Sequence, residues 1–107
     1  MSKDKNEHLN PVHPGDVLWL DFMEPMGISQ NRLAREIDVP PRRINEIIHG
    51  KRGITADTAL RLSLFFGTSA ELWLNLQADY ELDCIRRSDN GALQRIIKRF
   101  KPAAAMF

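Results

Sequence analysis

Two short helical patterns meet at Val39 and Pro40, and no other feature restricts this chain so tightly. Proline cannot extend a helix that precedes it and pushes the residue before it out of helical angles, so the first pattern has to end by Val39. Pro41 can then open the second, because its missing N–H has no intrahelical partner in a first turn. A turn of only Asp38 to Pro40 makes the two helices cross steeply, and Ala34 is small enough to let them approach. Ser29 is placed to cap the first helix, whose apolar face is Leu33, Ala34 and Ile37, while Gln30, Arg32, Arg35 and Glu36 point elsewhere. The second buries Ile44, Ile47 and Ile48 and stops at Gly50, a residue suited to left-handed backbone. Its other face carries Arg42, Arg43, Asn45, Glu46 and His49. This is the helix-turn-helix pattern, and a helix bearing such donors and acceptors suits a major groove about 12 Å wide. Double-stranded DNA is the leading partner.

The flanks continue in helices. Pro14, Gly15 and Asp16 open a helix with Val17, Leu18, Phe22 and Met26 at helical spacing, and Pro25 is expected to end or kink it at about Met23. Thr55 is placed to cap a fourth helix carrying Ala59, Leu60, Leu62, Ser63, Leu64, Phe65 and Phe66 up to Gly67; so wide an apolar surface predicts burial on more than one side. Thr68 or Ser69 caps a fifth, with Leu72, Trp73, Leu76 and Tyr80 as its stripe. After a turn at Ser88 to Gly91, Leu93, Ile96, Ile97 and Phe100 alternate with Arg95, Lys98, Arg99 and Lys101 until Pro102. No strand-period segment, internal repeat or Gly-rich phosphate loop appears. The fold class is all-α: a five-helix helix-turn-helix domain over residues 13–84, a flexible tail at 1–12, and a basic amphipathic extension with a short helix at 85–107.

At 107 residues the chain has the size of one domain, and its net charge of +1 gives no general excess for binding polyanions. The charge is instead segregated. Residues 1–28 carry two basic and five acidic side chains, 29–67 seven and four, 69–84 none and four, 85–101 six and one. Cys84 is the only cysteine, no apolar run approaches a membrane span, and the polar start lacks a signal peptide's apolar region, so a cytoplasmic protein is expected. His8, His13, His49 and Cys84 lack the paired short spacings of a zinc site, and no motif sets a nucleophile beside a base. Neither metal, cofactor nor catalysis is expected. Trp19, Trp73 and Tyr80 read as core or dimer contacts, and the apolar side of the extension needs a cover, for which dimerisation is one hypothesis.

Within the second helix, Arg42 and Arg43 occupy the first turn, where a guanidinium can pair with guanine or clamp a phosphate. Asn45 suits adenine; Glu46 suits the cytosine amino group or pairs with Arg42 or Arg43 and holds them ready. His49, Lys51 and Arg52, with the helix start at Thr55, suit phosphates.

From His13 to Gln77 the chain resembles the HigA-type antitoxins, or virulence-associated protein I type, of the lambda-repressor-like Xre superfamily. The resemblance lies in His13-Pro14-Gly15-Asp16, Glu24 to Gln30, Leu33-Ala34, the run into Gly50-Lys51-Arg52-Gly53-Ile54-Thr55, and Asp57 to Leu62 through Phe65 to Ser69 and on to Trp73-Leu74-Asn75-Leu76-Gln77. It implies a non-enzymatic homodimer that neutralises a HigB toxin, a RelE-like mRNA endonuclease, and represses its own operon from a palindromic operator. It also implies that Gln30 braces phosphate or recognition-helix contacts. Pro41 departs from the polar residue common at its position, replacing one base contact with apolar contact to a thymine methyl or losing it. The alternative is a stand-alone Xre-type transcriptional regulator with no toxin partner; a further rival is an adaptor whose helix-turn-helix no longer binds DNA.

Overall fold

A computed structural model describes residues 10–103; the first nine residues, which make up most of the expected tail at 1–12, and the last four of the expected extension lie outside them. Within the described residues there are six helices and no strand, and no helix is long and apolar enough to cross a membrane. The first, α1, joins Pro14–Val17, Leu18–Met23 and Glu24–Met26 without a break. His13 caps it, its Nδ1 accepting from the Gly15 N–H at 3.1 Å. The middle stretch is π-helical: the Glu24 N–H reaches back five residues to the Trp19 carbonyl. The helix therefore does not end at Met23 as expected. The widened turn carries the chain past Pro25, whose ring would crowd an ordinary α turn, and α1 closes at Gly27 with φ 67°. Leu18 and Met23, five residues apart, consequently share one face and are both fully buried.

The other ends follow local chemistry. α2 (Gln30–Glu36) starts at Ser29, whose hydroxyl accepts from the Arg32 N–H at 3.1 Å. It stops where Asp38 takes φ 59° and the Val39 N–H bonds back to the Ala34 carbonyl at 2.9 Å. α3 (Pro41–Ile48) begins at proline and is followed by Gly50 at φ 73°. α4 (Ala56–Phe66) is capped by Thr55 and closed by Gly67; α5 (Ala70–Asp89) is capped by Ser69 and closed by Asn90, both closing residues left-handed. α5 runs unbroken through the expected division at 84/85. α6 is only Ala92–Ile96, and the backbone is extended from Ile97, so Leu93, Ile96, Ile97 and Phe100 do not line up on one helix.

Leu18 and Met23 of α1, Leu33 and Ala34 of α2, Ile44 and Ile47 of α3, and Ala59 and Leu62 of α4 close around Trp73 of α5. Trp73 is fully buried with its indole N–H donating to the Thr68 hydroxyl at 2.8 Å, and Phe22 and Phe66 flank it. An aromatic ring of this size removes roughly 150–250 Å² from water, about 4–6 kcal/mol of transfer free energy. α4 departs from the expectation of burial on more than one side. Leu62 and Ala59 face the core, while Leu60 and Leu64 are 54% and 78% exposed.

Candidate nucleic-acid interface

α3 sorts its side chains by angle. Ile44 and Ile47 are buried, and Arg42, Asn45, Glu46 and His49, spaced i, i+3, i+4 and i+7, share the opposite face. Neighbours hold most of them in place. Gln30, in the first turn of α2, accepts from the Asn45 amide at 3.0 Å. His49 Nδ1 lies 2.8 Å from the Asn45 carbonyl; a carbonyl only accepts, so the proton of the neutral ring sits on Nδ1.

Glu46 is the hub of this face. One carboxylate oxygen meets Arg42 Nε and the other Arg52 Nε, each at 2.9 Å. Hydrogen bonds first from Arg42 and then from Arg52 hold its carboxyl below its ordinary value of 4.5. Glu46 thus pairs with Arg42, as one of its two sequence readings had it, but with Arg52 rather than Arg43 as its second partner. The Arg42 side chain remains 84% exposed, bonded only through Nε, which leaves its two terminal amino groups for a base edge or phosphate.

Arg43 goes elsewhere. It leans towards α4, where Nη1 meets Asp57 Oδ2 at 3.2 Å. The same oxygen accepts from Arg61 Nε at 2.9 Å, and Arg61 Nη1 in turn donates to the carbonyls of Ile37 at 2.8 Å and Asp38 at 3.2 Å. The hydrogen bond from Arg61, with a smaller contribution from Arg43, keeps the Asp57 carboxyl below its ordinary 3.8. A relay of charge therefore joins the turn between α2 and α3 to the start of α4. Lys51 is exposed with no side-chain partner among the described residues. The Thr55 hydroxyl is committed to the Thr58 N–H at 3.5 Å.

Three positioning residues were not among the expected site residues. Gly15 packs so closely on the end of α3 that a Cβ there would overlap the Ile47 carbonyl, which explains why His13-Pro14-Gly15 sits where it does. Gln77 of α5 accepts from the Ile54 N–H at 2.8 Å and fixes the loop after α3. Arg61 clamps the turn; its i, i+4 spacing from Asp57 was a visible signal, its carbonyl partners were not.

A helix-turn-helix family model matches residues 21–73. Virulence-associated protein I of Dichelobacter nodosus is 51% identical over 73% of this chain and 71% of its own length, and antitoxin HigA-1 of Vibrio cholerae is 36% identical over 67% and 68%. The chain belongs to the HigA antitoxin family. Among solved structures, the Pseudomonas aeruginosa antitoxin HigA with the higBA promoter superposes with a TM-score of 0.81 at 36% identity, covering 86% of this chain and all of that one. The HigA likeness thus reaches beyond the helix-turn-helix through most of α5.

Proposed function

We propose that the protein is a HigA antitoxin that binds operator DNA as a homodimer, represses its own operon, and neutralises a HigB/RelE-like toxin by association, with no catalytic role of its own and a cytoplasmic site of action. The observation that carries the reading is the exposed, pre-bonded face Arg42, Asn45, Glu46 and His49, braced by Gln30 on a rigid α2–α3 pair. Arg42 is the base-reading or phosphate-clamping arginine, Asn45 the adenine reader, and Lys51 and Arg52 the phosphate contacts. Glu46 sets the posture of Arg42 and Arg52. Arg43, held by Asp57, supports the helix start and reaches DNA only from its flank, and the N-terminal amides of α4 at Thr55 add a phosphate site.

The relatives support this reading, one of them having been solved with promoter DNA. The test is an anisotropy titration of the full-length chain with DNA from upstream of its gene, repeated over a salt series. Tight binding that weakens with salt and exceeds that for scrambled DNA is expected; equal affinity for both sequences would refute operator recognition. Co-purification with the product of an adjacent small reading frame separates antitoxin from stand-alone regulator.

A further inference from the structure

The reading face of α3 changes from end to end in what it can offer a base. Arg42 presents only N–H donors, its two terminal amino groups. Asn45 commits one amide hydrogen to Gln30 and keeps the other beside its side-chain carbonyl, so it presents a donor and an acceptor together. His49 closes the helix and turns its ring back on it. The Asn45 carbonyl accepts from the His49 backbone N–H at 3.1 Å and from the ring Nδ1 at 2.8 Å. With its proton on Nδ1, the neutral ring keeps a bare lone pair on Nε2, which has no partner among the described residues. No carboxylate among them pairs with the ring. Glu46, one turn back, has both oxygens bonded to arginine.

We infer that His49 is a specificity-determining residue whose Nε2 accepts from a base amino group, cytosine N4 or adenine N6, in the major groove. The inference rests on the operator reading above and assigns His49, which that reading leaves without a contact of its own. A phosphate oxygen and a bare ring nitrogen are both acceptors, so no hydrogen bond joins them. Among the base edges of the major groove only those two amino groups donate, whereas guanine and thymine present acceptors. Each base pair carries one such amino group, so the contact distinguishes which strand bears it. Geometry agrees. His49 is exposed and lies seven residues beyond Arg42, about 10 Å along the helix, which matches three base steps of about 3.4 Å. The bond to the Asn45 carbonyl also fixes the ring before DNA arrives, which lowers the ordering cost of the contact. Sequence alone grouped His49 with Lys51 and Arg52 as phosphate contacts, because spacing shows that a ring is exposed and not which nitrogen carries its hydrogen.

Anisotropy titrations of the full-length chain against single-base-pair variants of its upstream DNA test this. At one position in each half-site, exchanging cytosine or adenine for guanine or thymine should weaken wild-type binding about tenfold. His49→Ala should lose that preference. His49→Lys, which offers donors alone, should lose it too, and decides the matter if the alanine variant fails to fold by circular dichroism. Base preferences left unchanged in a folded variant overturn the inference. An equal loss of affinity for all sequences in His49→Ala, with a salt slope shallower by about one, marks a phosphate contact and also overturns it. Loss of a preference for guanine or thymine marks a donating ring and does the same. A wild-type chain with no base preference at any position overturns the operator reading itself.

Discussion

Replacing Gly15 by Ala tests whether the start of α1 sets the position of the recognition helix. The added Cβ would overlap the Ile47 carbonyl oxygen and lie 2.8 Å from both the Ile47 carbonyl carbon and the His13 ring, where ordinary contact begins at 3.4 Å. Backbone cannot rotate aside as a side chain does, so α1 and α3 must separate by at least 0.6 Å, the difference between those two distances, and by more at the oxygen. Overpacking of this kind costs about 1–3 kcal/mol, equivalent to roughly 5–15 °C in melting temperature for a domain of this size. Because the displaced end of α3 carries His49 and leads into Lys51 and Arg52, operator affinity should also fall at a temperature where the variant is fully folded. Gly27→Ala is the control. It meets nothing within 4 Å, but its φ of 67° costs about 1–2 kcal/mol of left-handed strain, so it should lower stability and leave affinity alone. Urea unfolding followed by circular dichroism, with anisotropy titrations at low temperature, measures both. If Gly15→Ala melted with the wild type, or melted lower yet bound DNA as tightly, the proposed coupling of α1 to the reading face would be wrong.

Arg42→Ala should lower operator affinity by about 1–3 kcal/mol while Arg43→Ala lowers it less, because the Arg43 guanidinium is bonded to Asp57; equal losses in a gel-shift titration would contradict that division. Lys51→Ala should weaken binding to all sequences alike and make the salt slope shallower by about one, which a salt series reads directly. Gln77→Leu removes the acceptor of the half-buried Ile54 N–H and should cost about 1–3 kcal/mol in urea unfolding. The Glu46 and Asp57 carboxyls are depressed in the folded chain, so their contribution to stability is complete above their ordinary 4.5 and 3.8 and is lost as pH falls through the lower folded values. The melting temperature should therefore fall below about pH 4.5, and Glu46→Gln should make that fall shallower.

What the sequence disclosed depended on the reach of each interaction. The caps at Ser29, Thr55 and Ser69 and the stop at Gly50 were legible because each is decided within about four residues. The reading face of α3 was legible for the same reason, its polar residues falling opposite Ile44 and Ile47. Contacts between remote segments were not: the Arg61 bond to Ile37 spans 24 positions and that of Gln77 to Ile54 spans 23. Arg42 and Arg43, adjacent and identical, could not be told apart until the side facing Asp57 was known. Pro25 misled because a proline signals an end only to a helix with four-residue bonding. At the other end of the chain, the amphipathic pattern past Ile96 promised more helix than forms, since an isolated segment this short gains too little from packing to meet its nucleation cost.

The π turn of α1 has a consequence for length. A stretch in which bonds reach back five residues is an α-helix holding one extra residue. Deleting Leu20, which is 54% exposed, would let residues 18–23 close into ordinary α turns and keep the Leu18 and Met23 positions in phase. A one-residue gap between homologues can therefore fall inside this helix, where helices ordinarily forbid it, with both of its ends still in contact with the same neighbours.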